Sequence, residues 1–186
     1  MKKIAIVALL SAFFAAPVVA ADGYGDEYGG VNVGQNKVDD STMSKNTSTA
    51  FGIMSGSAIS ETFAVEAAYT YLGSLEPDPA FPGLTLEGSA ISLSGVVSYP
   101  LDQWFSLYGK LGFARTAVDI SYPGVTLSGN KTGLTFGFGG QLNVAPGVDI
   151  RAGFDRYKVV MSVPGSELSA DTDVMSVGAV FNFHSP

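Results

Sequence analysis

The 186-residue chain contains no cysteine, one histidine and few charged residues. Without cysteine, no disulfide can stabilise the fold, so packing and hydrogen bonds must do so. The histidine, His184, lies next to Ser185 near the C-terminus, and no recognisable motif supplies an orienting carboxylate, which argues against a Ser-His catalytic site. No phosphate-binding loop is present either, because no helix follows the glycines at 137–140. The sequence therefore predicts no enzyme activity and no cofactor.

Positive charge is also scarce, because Asp and Glu outnumber Lys and Arg by 17 to 10 and the formal net charge is −7. Nucleic-acid binding requires a basic footprint, so that class of partner is excluded. Two pairs of carboxylates, Asp39 with Asp40 and Asp171 with Asp173, have the oxygen ligands that divalent cations prefer. Such pairs are more often simply solvated, and we expect no metal site.

Long apolar runs are confined to the N-terminus. Lys2 and Lys3 precede an apolar run from Ile4 to Phe14, and small residues follow up to Ala20. This order is typical of a secretory signal peptide, which predicts a signal at residues 1–20 and one mature domain at residues 21–186. An N-terminal membrane anchor is the alternative, but the run is shorter than the roughly 20 residues that a spanning helix needs.

The remaining apolar residues, part of a hydrophobic fraction of 46%, alternate with small or polar ones. Period two is clearest in four segments, in which large apolar side chains share one face. A soluble sandwich would bury that face against a second sheet, whereas a membrane barrel turns it to lipid. The glycine-rich opposite face favours the barrel. The four segments are Phe63 to Leu72, Phe105 to Ala114, Leu134 to Val144 and Met175 to Phe183.

Weaker strands bring the predicted total to eight, an even number that lets a sheet close without an unpaired edge in lipid. The sequence thus predicts an all-β fold, an eight-stranded antiparallel up-and-down transmembrane β-barrel. Connections alternate in length, and we expect the short ones in the periplasm and the long ones outside. The weaker strands are Tyr28 to Val38, Thr49 to Ile59, Leu86 to Tyr99 and Asp149 to Val160. The predicted outward loops are Asp39 to Ser48, Gly73 to Thr85, Asp119 to Lys131 and Ser162 to Asp173.

Three of these loops share a Pro-Gly fragment, at Pro82-Gly83, Pro123-Gly124 and more loosely Pro164-Gly165. We interpret the fragment as a repeated turn followed by a strand start. A shared binding rim is the alternative, in which Phe81 and Tyr122 would contact a surface ligand.

Several segments resemble the transmembrane barrel of the outer-membrane protein A family. Val65 to Gly73 is similar to a family strand that carries a lumenal Glu before an aromatic-Leu-Gly. Ser98 to Gly112 resembles the central hairpin, and Gly139 to Phe154 resembles the next hairpin. Met175 to Phe183 resembles the closing strand. The resemblance runs from Phe63 to the end of the chain and includes no periplasmic peptidoglycan-binding domain.

The resemblance implies a network of charged side chains inside the barrel. Its Glu falls on Glu66 and its Arg on Arg151, and Lys110 matches a second Arg. The family's competing Lys and Glu fall on Val96 and Gln141, so we expect the Glu66–Arg151 pair to lack a competing pair. Period two also places Glu66, Lys110, Gln141 and Arg151 on polar faces, and a buried charge must be paired. Ordinary lumen residues with bound water are the alternative to a plug.

The expected function is structural, as a small integral protein of the bacterial outer membrane that supports membrane integrity and presents surface loops. Expected partners are outer-membrane lipid, lipopolysaccharide and the barrel assembly machinery. An adhesin or host-factor binder is a second possibility. A low-conductance solute channel is a third, although eight strands enclose a space that side chains can fill.

Overall fold

A computed structural model describes residues 26–38, 47–75, 85–122, 125–163 and 166–183. Nearly all of them lie in eight β-strands. Among the described residues, no helix is long and apolar enough to cross a membrane. The strands are β1 (Glu27–Val38), β2 (Thr47–Ala58), β3 (Phe63–Leu75), β4 (Thr85–Pro100), β5 (Phe105–Tyr122), β6 (Val125–Ala145), β7 (Val148–Val163) and β8 (Ser166–Phe183).

The strands form one closed barrel in which each pairs with its neighbours in sequence. All pairings are antiparallel, and β1 closes the sheet by pairing with β8 from Glu27↔Phe183 to Val38↔Thr172. Closure leaves no unpaired edge, which is the condition for a sheet to exist in hydrocarbon. The predicted eight-stranded up-and-down barrel is therefore confirmed.

The two faces of the wall differ as the alternation predicts. On β5, Leu111 and Phe113 are 64% and 63% exposed, whereas Ala114, which faces the lumen, is 2% exposed. On β3, Phe63 is exposed and Glu66 is buried. Large apolar side chains thus cover the outside, and most polar or small ones face the lumen. This distribution fits a barrel whose outer wall contacts lipid.

At one end of the barrel the connections between described strands are short turns, and side chains fix two of them. The Asp102 carboxylate accepts hydrogen bonds from the backbone N–H groups of Trp104 and Phe105, both at 2.7 Å. The Ser60 hydroxyl accepts from the backbone N–H of Phe63 at 3.1 Å in the preceding turn. Such Asx and Ser turns replace ladder bonds where the chain reverses. Short turns mark the periplasmic end, so the opposite end faces outward.

At the outward end, two predicted loops are wrong. The structure continues β5 to Tyr122 and starts β6 at Val125, so most of Asp119 to Lys131 is a long hairpin rather than a loop. Likewise β7 and β8 extend through Ser162 to Asp173, up to the pair Val163↔Ser166. Backbone pairing continues there although polar residues outnumber large apolar ones in both segments of the sequence, which removes the contrast that period two depends on.

The strand-start part of the Pro-Gly interpretation is confirmed at two of the three fragments. β6 begins directly after Pro123-Gly124, and β8 directly after Pro164-Gly165. These fragments lie outside the described residues, as do Phe81, the predicted signal at residues 1–20, Asp39 with Asp40, and His184 with Ser185.

Candidate functional site in the barrel lumen

Glu66, on the inward face of β3, lies at the centre of the lumen and is 2% exposed. Its Oε2 accepts hydrogen bonds from Arg151 Nη1 at 2.5 Å and from the Tyr28 hydroxyl at 3.1 Å. Its Oε1 lies 3.5 Å from Lys110 Nζ. These donors come from β7, β1 and β5, so one carboxylate connects all four odd-numbered strands around the barrel.

Lys110 also pairs with a carboxylate that the sequence analysis missed. Its Nζ lies 2.8 Å from Asp155 Oδ1, closer than its distance to Glu66. The expectation that the Glu66–Arg151 pair lacks a competing pair is therefore wrong. Val96 is buried and uncharged as expected, but Asp155 on β7 supplies the negative charge that Gln141 does not.

Glycines at two register positions make room for these contacts. Lys110, Gly137 and Asp155 form one row across β5, β6 and β7. Tyr28, Gly56 and Glu66 form a second row across β1, β2 and β3. A Cβ on Gly137 would overlap the Asp155 carboxylate, and one on Gly56 would overlap the Tyr28 ring. The bare backbone of the middle strand thus lets the flanking side chains meet.

The Arg151 guanidinium is also held by an aromatic ring. Its Cζ lies 3.8 Å from the centroid of the Tyr108 ring, a cation–π distance. Together, Glu66, Asp155, Lys110 and Arg151 contribute two negative and two positive charges. This balance matters because an unpaired charge in a buried site costs several kcal/mol.

Gln141, predicted to belong to the plug, hydrogen-bonds elsewhere. Its Nε2 donates to Asp149 Oδ2 at 2.8 Å, and the amides of Asn143 and Asn182 donate to the same carboxylate at 2.8 and 2.6 Å. Asp149 is 5% exposed and lies near the periplasmic end of β7. A second polar layer, built from one carboxylate and three amides, therefore lies below the network.

On the extracellular side of the network, buried apolar side chains form a second cluster in the lumen. It contains Tyr157, whose hydroxyl lies 3.2 Å from Thr70 Oγ1 on β3. Because β7 and β3 are on opposite walls, the tyrosine crosses the whole lumen. The layer draws on six strands through Ala50, Leu72, Ala90, Ala114, Tyr157 and Val174, all buried.

The structure thus brings Glu66, Arg151 and Lys110 together and places Gln141 in a neighbouring layer. Sequence reasoning missed Asp155, Asp149 and the three tyrosines. Period two along β7 puts Asp149, Arg151, Asp155 and Tyr157 on one face, which is the signal that could have found them. Tyr122 is the last residue of β5, at the extracellular end of the barrel. Asp173 lies on the lipid-facing side of the wall, where it accepts two hydrogen bonds from Arg156 at 2.6 Å each.

A closed eight-stranded barrel with an apolar outer wall and charged side chains in its lumen defines a class, the small transmembrane barrels of the bacterial outer membrane. The family model described as "Outer membrane protein beta-barrel domain" matches residues 5–183. The chain belongs to this family, and its wall faces outer-membrane lipid.

Solved structures show the same fold. The chain is 16% identical to Neisserial surface protein A, with a TM-score of 0.67 and coverage of 84% of this chain and 97% of that one. It is 19% identical to the attachment invasion locus protein of Yersinia pestis, with a TM-score of 0.60 and coverage of 86% and 99%. For OprG from Pseudomonas aeruginosa, the values are 14%, 0.61, 87% and 97%. No curated protein sequence matches the chain significantly.

Proposed function

We propose that this protein is a structural barrel of the outer membrane whose lumen is closed to solutes. The observation that carries the proposal is the position of Glu66, which receives side chains from three other strands at the centre of the lumen. We assign no catalytic role to the protein. Its function is to support the integrity of the membrane and to present loops at the cell surface.

Closure has two parts in series along the axis. The charged network occupies the middle of the lumen, and the layer around Tyr157 fills the space outward of it. An ion would have to displace paired charges and then enter an apolar constriction, where no groups replace its hydration shell. Both steps oppose conduction.

Planar-bilayer recording of the purified barrel tests this proposal. The wild type is expected to give rare, brief openings or none. Glu66→Gln leaves the network with one excess positive charge, so its openings should become more frequent and anion-selective. Glu87→Gln, which neutralises an exposed carboxylate on β4, is the matched control and should record like wild type. Steady current through the wild type would overturn closure, and equal opening frequency in the first variant would overturn the role of the network.

An adhesin or host-factor binder remains the second candidate. The attachment invasion locus protein was solved in complex with a heparin analogue, sucrose octasulfate. The net charge of −7 in this chain opposes a sulfated ligand. Replacing the segments around Phe81 and Tyr122, followed by a cell-adhesion assay, distinguishes this function from the structural one.

Export and assembly complete the proposal. Residues 1–20 act as the cleaved signal, residues 21–186 form the mature barrel, the barrel assembly machinery inserts it, and lipopolysaccharide surrounds its outward half. N-terminal sequencing of the protein recovered from the outer membrane tests the cleavage site after Ala20.

A further inference from the structure

A cavity lies in the lumen between the charged network and the periplasmic end of the barrel. Its volume is about 140 Å³. One water needs roughly 10–15 Å³ of such space, so the cavity has room for one small organic molecule. Arg151 and Val96 line its inner end, and the β2–β3 turn at Ser60, Glu61 and Thr62 lines its mouth. The cavity therefore ends at the network and faces the periplasm.

The Arg151 guanidinium, at the inner end of the cavity, is held in place by three neighbours. Its Nη1 donates to the Glu66 carboxylate and, at 3.3 Å, to the Met54 sulfur, and its Cζ lies over the Tyr108 ring. The side chain is 6% exposed. Its Nε is buried and has no hydrogen-bond partner among the described residues.

An unsatisfied buried donor costs about 1–3 kcal/mol. Because Arg151 lines the cavity, a molecule there can supply the acceptor that Nε lacks. The planar edge of a guanidinium matches a carboxylate in particular. The inner end of the cavity is thus a fixed, positively charged donor for a carboxylate.

Gln141 and Asn182 provide acceptors along the wall of the same cavity. The amide nitrogen of each donates to Asp149, so the amide oxygens are left to accept. Glu61 adds an exposed carboxylate at the mouth. A donor with positive charge therefore lies deep in the cavity, and acceptors, one of them anionic, lie nearer the periplasm.

We propose that this cavity binds a small zwitterion, an α-amino acid about the size of alanine. Its carboxylate accepts a hydrogen bond from Arg151 Nε. Its ammonium group donates to the amide oxygens of Gln141 and Asn182 and lies toward Glu61. The proposal goes beyond closure of the lumen and uses only the orientation of the barrel.

Charge balance favours a zwitterion over a simple anion. Glu66 already balances the charge of Arg151. A bound anion would add a second negative charge close to Asp149 and Glu61, and the described residues that line the cavity include no other cation. A zwitterion adds no net charge, so its binding avoids the cost of an uncompensated buried charge.

Solution NMR of the isotope-labelled barrel, folded in detergent micelles and titrated with L-alanine, tests the proposal. The Nε–H signal of Arg151 should shift saturably, with a Kd on the order of 1 mM for a ligand of about six heavy atoms. Acetate and ethylamine each carry one of the two charges and should bind about tenfold more weakly or less. An unshifted Nε–H signal would mean that the cavity holds only water and would overturn the proposal. Equal affinities for acetate and alanine would overturn the zwitterion.

A pair of variants on β3 tests the location. Ala64 lines the cavity, and Ala64→Leu fills it and should abolish the shift. Ala67→Leu makes the same change at an outward position of the same strand and should bind alanine within about twofold of wild type. A heat-shift gel verifies that each variant is folded. Equal affinities in the two variants would place the ligand elsewhere and overturn the site.

The two ends of the ligand are tested separately, with the Asn182 side-chain amide signal as the reporter. Arg151→Lys keeps the positive charge but lacks Nε, and it should weaken binding about tenfold or more. Glu61→Gln should weaken binding about twofold to fivefold, the effect of an exposed ion pair. Glu87→Gln, on the extracellular part of β4, is its control and should bind like wild type.

Unchanged affinity in Arg151→Lys would overturn the carboxylate contact. Equal affinities in Glu61→Gln and Glu87→Gln would overturn the placement of the ammonium group at the mouth. Steady current in planar bilayers would overturn closure of the lumen and would leave the alanine titration unaffected. The two proposals therefore fail by different measurements.

Discussion

Glu66→Gln should destabilise the barrel more than any other single substitution in the lumen that keeps the size of the side chain. The change removes the negative charge and replaces one acceptor oxygen by an N–H donor that faces Arg151 and Lys110. Removing one partner of a buried ion pair costs about 3–5 kcal/mol, because the other charge stays buried and uncompensated. Asp155 still neutralises Lys110, so most of the loss falls on Arg151.

The assay is urea unfolding of the barrel folded into lipid vesicles. The chain has one tryptophan, Trp104, which is 62% exposed in the turn between β4 and β5 and should report the transition by fluorescence. With a denaturant slope on the order of 2 kcal/mol per molar urea, a loss of about 4 kcal/mol moves the midpoint by about 2 M.

A double variant separates the charge from the packing. Glu66→Gln combined with Arg151→Met removes both charges, and a buried pair replaced by groups of similar volume is often nearly neutral. The double variant should therefore be more stable than the Glu66→Gln variant. A Glu66→Gln midpoint within about 0.5 M of wild type, or a double variant less stable than the Glu66→Gln variant, would refute the reasoning.

Three further predictions use the same unfolding assay. Asp149→Asn should cost about 2–3 kcal/mol, because three amides lose a charged acceptor; no measurable shift would show that water replaces it. Leu72→Ala should cost about 2–5 kcal/mol by leaving a cavity in the apolar layer, and a loss below about 1 kcal/mol would mean that the layer collapses to fill it. Leu111→Arg, at a lipid-facing position, should lower the free energy of unfolding in bilayers by about 2–4 kcal/mol. Glu87→Arg should lower it by less than about 1 kcal/mol. Equal losses in the two variants would contradict the assigned lipid boundary.

The part of the fold inside the membrane was predictable because lipid enforces contrast between faces. Phe63 to Leu72 alternates large apolar and small or polar residues, and the structure has that strand with the predicted faces. Beyond the lipid, both faces of β5 carry polar residues, with Arg115 and Asp119 on the outer face and the buried Thr116 on the inner face. The alternation then vanishes although the backbone ladder continues, so the sequence predicts a loop where the structure has a long hairpin.

The candidate site was only partly predictable, because it depends on register. That Glu66 and Lys110 face inward follows from period two alone. That Lys110 meets Asp155 across Gly137 depends on which residues of three strands are aligned, and no single segment contains that information. The resemblance to a family pointed to the right pair but not to Asp155, since the acid lies at a different position in this chain.

The four-strand convergence on Glu66 has a consequence for biogenesis. Arg151 lies on β7, in the last hairpin. Tyr28, which donates to Glu66, lies on β1, the strand that closes the barrel by pairing with β8. In an incomplete sheet, the Glu66 carboxylate would lack the hydrogen bonds from Arg151 and Tyr28. The carboxylate would then stay hydrated, which opposes its transfer into the bilayer. Membrane insertion and closure of the barrel between β1 and β8 should therefore occur together. Variants that lack Arg151 should accumulate as membrane-bound but protease-sensitive precursors.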